Sequence, residues 1–158
     1  MNRIVFAACV VTLAGLSLPA FAQSFDETVS YIQDRCVGTS VTYNYSGTTP
    51  ARISTTQFSA DQSGSLSFRH RIAWSDGRSP STSMQSFRVP LSDIEEIKDD
   101  PGGNSGRIGI RARGAIISDL GNGPGRLSET YLYCPNRDRI VRALEHLVSL
   151  ADDDPFAN

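Results

Sequence analysis

Lysine is almost missing from this chain: of its 15 basic residues only Lys98 is not an arginine. Histidine is scarce as well, with two copies, His70 and His146, and the three cysteines are Cys9, Cys36 and Cys134. These shortages exclude several chemistries. No two Cys or His residues stand at metal-ligand spacing, and "DDPGG" and "DLGNGPG" lack the alternating acidic ligands of a calcium loop. "GGNSGRIG" has no Gly-Lys-Ser/Thr ending and leads into a strand pattern rather than a helix, so it is no phosphate loop. No Gly-x-Ser-x-Gly elbow occurs. The adjacent Glu95 and Glu96 fall in an edge-strand pattern, where neighbouring side chains point to opposite faces and do not share a proton. The expectation is no catalytic residue, no metal and no cofactor.

What is present begins with "MNRIVFAACVVTLAGLSLPAFAQ". Arg3 supplies a positive start, Ile4 to Leu18 an apolar run, and Ala20-Phe21-Ala22 a small-x-small cleavage site, the pattern of a secretory signal peptide over residues 1–22. The run is shorter than the roughly 20 residues a spanning helix needs, and Pro19 closes it. Export to the periplasm or outside the cell is therefore expected, with no transmembrane segment after cleavage. Cleavage also removes Arg3 and Cys9. That leaves 14 basic against 17 acidic residues, a formal charge of −3 with no net field to attract nucleic acid. Cys36 and Cys134 then remain as an isolated pair in an oxidising compartment, which reads as a disulfide; the alternative is two buried free thiols.

Residues 23–151 read as a single α+β domain. "SFDETVSYIQDRCVG" predicts a helix over 24–37, with Ser24 as N-cap, Glu27 completing a capping box and Gly38 at the end. Phe25, Val29, Ile32 and Cys36 form its apolar stripe. Between 41 and 134 short alternating runs predict an antiparallel sheet, with strands near 41–46, 52–60, 65–75, 84–91, 93–98, 107–113, 115–118 and 127–134. "ADQSGS" reads as a hairpin turn and "DDPGGNSG" as a longer connection. "DLGNGPGR" reads as a mobile loop outside the ladder. "NRDRIVRALEHLVSLA" predicts a second helix over 136–151, capped by Asn136, with a core stripe of Ile140, Val141, Leu144, Leu147, Val148 and Ala151. The acidic stretch 152–158 is expected to be a disordered tail.

Alternation in "SLSFRHRIAW" places His70 on an apolar face with Leu66, Phe68, Ile72 and Trp74, so it is expected to pack and to make a hydrogen bond rather than to act as a base. His146 shares a helix face with Arg139, Arg142 and Ser149 and is expected to be solvated. Arginine is the feature above background. Arg69 and Arg71 share one strand face, Arg107, Arg111 and Arg113 share another, and Arg88 alternates with Phe87 and Val89. If these strands are neighbours they form a guanidinium strip able to grip carboxylate or phosphate; otherwise they are a solvated face balanced by the acids.

The strands followed by "SFRVPLSDIEEIKDD", a further hairpin, "LSETYLYCP" and the closing helix "DRIVRALEHLVSL" resemble a pleckstrin-homology-like (PH-like) barrel, in which seven antiparallel strands form a bent sheet plugged by a C-terminal helix. The stretch "VPLSDIEEIK" with "RALEHLVSL" also resembles small exported bacterial proteins. The resemblance covers about 41–151. The chain departs from it in the extra N-terminal helix, in a C-terminal helix without tryptophan, and in "SGTTPAR", which holds one arginine where some members carry a basic, headgroup-gripping loop. The resemblance implies a non-enzymatic binding or scaffolding module. Its partner would be an envelope protein, a peptide or a small ligand. A second expectation is an anion- or lipid-headgroup-binding domain using the arginine face, and a third an enzyme or inhibitor whose site is assembled only by folding.

Overall fold

Ser24 starts helix α1 (Phe25–Cys36) through the expected capping box. Its hydroxyl accepts from the Glu27 amide at 3.3 Å, and the Glu27 carboxylate accepts from the Ser24 amide at 2.9 Å. The computed structural model describes residues 23–43, 50–61, 64–74, 81–100 and 106–152. The signal peptide over 1–22, most of the tail over 152–158, the tip of "ADQSGS" and most of "DDPGGNSG" lie outside the described residues.

The chain is α+β. Strands β1 (Ser40–Tyr43), β2 (Ala51–Asp61), β3 (Ser65–Trp74) and β4 (Ser81–Pro90) follow α1; a 3₁₀ turn at Leu91–Asp93 leads to β5 (Ile94–Asp99), β6 (Arg107–Asp119) and β7 (Pro124–Tyr133), and α2 (Arg137–Asp152) closes the chain. All pairings are antiparallel, in a seven-stranded sheet of order β1-β2-β3-β4-β6-β5 with β7 also on β6. This sheet does not close into a continuous barrel. Strand β6 organises it: residues 108–112 pair β5 and 117–119 pair β4, while β7 pairs both halves.

The differences from the sequence reading come mostly from irregular pairing. The segments 107–113 and 115–118 are one strand, bent between Arg111 and Ile116, because a register shift there leaves extra residues opposite β7. "DLGNGPGR" is not outside the ladder: Pro124, Gly125 and Arg126 pair Asp119, Ser118 and Ile117. Gly121 and Gly123 adopt φ of 90° and 97°, which permits a tight reversal, and proline is tolerated as the first residue of a strand. Asn136 precedes α2 in the left-handed region, φ 59°, a conformation asparagine accepts more readily than most residues. Its carbonyl receives the Arg139 and Ile140 amides at 3.1 and 3.4 Å, which starts the helix from the Asn136 backbone.

The helices pack on each other; α1 covers β2, and α2 covers β5 and the 3₁₀ turn. Ile32, Leu66, Phe68, Val89, Ile108, Ile110, Leu132, Leu144 and Leu147 form the main core beneath them. A smaller cluster of Ala51, Ile53, Ile72 and Tyr133 lies under the other end of β2 and β3. The Cys36–Cys134 disulfide, with Cα atoms 4.8 Å apart and both residues fully buried, ties the end of α1 to the residue after β7. Gly106 lies against the Cys134 backbone, and the Cys134 amide donates to the Gly106 carbonyl at 2.9 Å. Its φ is 50°, and a Cβ there would lie 2.8 Å from the Cys134 carbonyl oxygen and 2.9 Å from Val41.

Candidate anion-binding face

His70 is 1% exposed and faces inward between the two cores. Its ring lies 5.2 Å from those of Phe68 and Tyr133 and 5.8 Å from that of Phe87. Nε2 is 3.0 Å from the Tyr131 carbonyl oxygen, which only accepts, so Nε2 carries the proton. Beside it the Thr55 hydroxyl donates to the Tyr133 carbonyl at 2.6 Å and stands 3.3 Å from Nδ1. Tyr131 and Tyr133 alternate along β7, and their carbonyls are met by side chains of β2 and β3 where no backbone ladder is formed. His70 and Thr55 thus stitch the unpaired seam of the sheet. Burial lowers the His70 pKa to about 4, against the opposing pull of the Tyr131 hydrogen bond. A neutral ring held this way is a packing element. His146 is not simply solvated: it is half-buried, and Nε2 lies 3.0 Å from the Gln23 carbonyl, joining α2 to the start of α1.

The six arginines singled out in the sequence separate into two groups, because β6 meets β4 only at 117–119 while its first half lies against β5. In that first half the charges are matched. Arg111 lies 3.9 Å from Glu95 and 3.1 Å from Glu96, and Arg113 lies 3.6 Å from Glu95. Both glutamates reach the same guanidinium, contrary to the expectation that they diverge, because a register shift between Ile94 and Glu96 breaks the alternation. Arg107 pairs with Asp100 and donates to the Tyr43 hydroxyl at 2.9 Å. Its guanidinium also lies over the rings of Tyr131 and Tyr43, at 4.3 and 5.1 Å. Desolvation opposes its charge, but Asp100 and the tyrosines outweigh it and raise the pKa.

Arg69, Arg71 and Arg88 occupy a different surface, the solvent face of β2, β3 and β4. They are exposed, and Arg52 of β2 joins them. Each of these arginines has a hydroxyl on one neighbouring strand (Ser86 for Arg69, Ser67 for Arg88, Ser54 for Arg71 and Thr42 for Arg52) and an uncharged residue on the other (Gln57, Ile117, Met84 and Ala73 respectively). Among the described residues none of these four arginines makes an ion pair. Arg52 Nε donates to Ser40 at 2.8 Å and Arg88 Nε to Ser65 at 3.3 Å, which steadies the two exposed side chains. Arg126 of β7 extends the group, separated from Arg88 by Ile117.

Arg52 and Arg126 were missed in the sequence. Arg52 carried a signal, since it alternates with the buried Ala51 and Ile53 as Arg69 does with Phe68 and His70; Arg126 lay in a stretch whose glycines read as a loop. Two shallow depressions mark the face. One, of about 250 Å³, lies between Arg69 and Arg88 with Gln57, Ser67 and Ser86. The other, of about 300 Å³, lies between Arg52 and Arg71 with Ser40 and Ser54. Asp119 is on the rim of the first, where its carboxylate accepts from the Gly121 amide of its own turn at 2.9 Å. Comparison with known protein families, curated proteins and solved structures returns no match.

Proposed function

We propose that this chain is a non-enzymatic, exported binding module of the cell envelope, and that its ligand is an anion gripped by the solvent face of β2, β3 and β4. The observation that carries this reading is the contrast between the two arginine groups. Arg107, Arg111 and Arg113 are matched by acids of the same molecule, whereas Arg52, Arg69, Arg71 and Arg88 have only uncharged cross-strand partners and make no ion pair among the described residues. Four like charges on one face repel each other, and a bound anion relieves that repulsion. Guanidinium suits the task, presenting a planar fork to oxyanions.

Export is supported by the leader pattern and by the internal disulfide, which suits an oxidising compartment. Among the described residues no helix is long and apolar enough to cross a membrane. The antiparallel sheet followed by a helix is compatible with a PH-like relationship, in which such domains serve as binding platforms.

The test is retention on phosphocellulose. Despite its formal charge of −3 after cleavage, the protein should bind at low salt and elute as salt screens the contact. Replacing Arg52, Arg69, Arg71 and Arg88 together by serine should abolish retention, while replacing Arg111 and Arg113 should not. Equal loss in both variants, or no retention of the parent, would refute the reading.

A further inference from the structure

The anion-binding reading leaves open whether the face holds one small ion or something longer. The four arginines lie in a diagonal line, not in a cluster. Arg52 is opposite Ala73, two residues beyond Arg71; Arg69 is two residues before Arg71 on the same strand; and Arg88 is opposite Ser67, two residues before Arg69. With about 3.4 Å per residue along a strand and about 4.8 Å between strands, consecutive Cα atoms in this line are roughly 7–8 Å apart and the ends roughly 22 Å apart. The two depressions divide the line into repeats of the same chemistry. Each holds a pair of arginines diagonal to one another on adjacent strands with serines beside them, and the first also has Gln57 and, at its rim, Asp119. Their centres are roughly 14 Å apart by the same spacing.

We propose that this face binds a linear polyanion bearing phosphate or sulfate groups, laid diagonally across β2, β3 and β4 in two successive subsites, Arg52 with Arg71 and Arg69 with Arg88. The inference rests on the anion-binding reading and specifies its ligand class. Tetrahedral oxyanions fit better than carboxylates, because one fork satisfies a carboxylate, while two forks and adjacent hydroxyls need a group with three or more acceptor oxygens. Nucleic acid fits poorly, since the described part of the face presents no aromatic ring among these arginines on which a base would stack. A bilayer fits poorly too, because among the described residues Met84 is the large apolar side chain exposed on these strands, and Ile117 of the adjoining β6 stands between Arg88 and Arg126.

Calorimetric titration with two probes tests this. Tripolyphosphate reaches one subsite, and long-chain inorganic polyphosphate reaches both. The long chain, compared at equal phosphate concentration, should bind on the order of a hundredfold more tightly, the lower range for linked contacts. Arg52→Ser should weaken the long chain by about tenfold, as expected for losing one charge-assisted contact, and leave tripolyphosphate bound at Arg69 and Arg88. An unchanged melting temperature establishes that this variant is folded, and Arg52→Lys, which keeps the charge, should recover part of the loss. Equal affinity per phosphate for both probes would overturn the two-subsite line while leaving single-anion binding intact. Binding to vesicles rich in phosphatidylglycerol without binding to polyphosphate would also overturn it, in favour of a membrane surface. Failure of both probes together with loss of phosphocellulose retention would remove the anion-binding reading itself.

Discussion

Acid should weaken this fold through His70, and the size of the effect follows from its surroundings. In an unfolded chain a histidine takes up its proton near pH 6.5; in the fold, burial among Phe68, Phe87 and Tyr133 lowers the pKa to about 4. Between those values the unfolded state binds the proton and the folded state does not, so protonation favours unfolding. The stabilisation is fully present above about pH 6.5 and is lost as pH falls towards 4. The difference in pKa corresponds to roughly 3 kcal/mol once both states are protonated, and to roughly 2 kcal/mol on going from pH 7.5 to pH 5. His70→Gln retains an N–H for the Tyr131 carbonyl and cannot titrate. At pH 7.5 it should cost about 1–2 kcal/mol for imperfect packing and hydrogen bonding. It should then lose roughly 2 kcal/mol less than the parent on acidification to pH 5. Denaturant titrations followed by Trp74, the single tryptophan, at both pH values measure this directly. The carboxylates contribute equally in parent and variant, so their effect cancels. Parallel pH dependence in the two proteins would show that His70 is not held neutral, and an activity lost at unchanged stability would contradict its packing role.

Three further outcomes are expected. Reducing the Cys36–Cys134 bridge, which closes a 98-residue separation, should cost up to about 4–5 kcal/mol, lower the melting temperature and expose the α1 amides to hydrogen exchange first; thiol titration of the denatured, unreduced protein should find neither Cys36 nor Cys134 free. Gly106→Ala should destabilise by about 2 kcal/mol or more, since it adds left-handed backbone strain to a clash with the Cys134 carbonyl, and an unchanged melting temperature would contradict that account. Arg107→Ala should cost about 2–3 kcal/mol, because it takes the guanidinium away from the half-buried Asp100 and uncovers Tyr43 and Tyr131; Arg107→Lys, which keeps the charge but not the flat stacking surface, should cost less in the same melts.

Local chemistry made much of this fold legible. Ser24 and Glu27 announced α1, the spacing of Leu144 and Leu147 announced α2, and the alternation around His70 gave its inward orientation. The paired cysteines were legible because so few compete. What escaped the sequence was pairing. The irregularities between Thr55 and Gln57, Ile94 and Glu96, and Arg111 and Ile116 depend on the partner strand as much as on the bulged one, so no local pattern marks them. Each changed which charges meet or which face a residue takes. The bend of β6 sends Arg111 and Arg113 to the glutamates of β5, away from Arg69 and Arg88, and the irregularity at Glu95 gathers two carboxylates around one guanidinium. One strip in the sequence became two surfaces, one with its charges matched and one without.

The disulfide has a topological consequence as well as an energetic one. Cys36 lies before β1 and Cys134 after β7, so the whole sheet hangs between them as a covalent ring. A protease that cuts a single peptide bond anywhere between these residues opens the ring without releasing a fragment, and the nicked molecule keeps its mass apart from one added water. Two cuts, or one cut followed by reduction, are needed to separate the pieces. For an exported protein exposed to proteases, such a ring lets the arginine-bearing face of β2, β3 and β4 outlast the first nick.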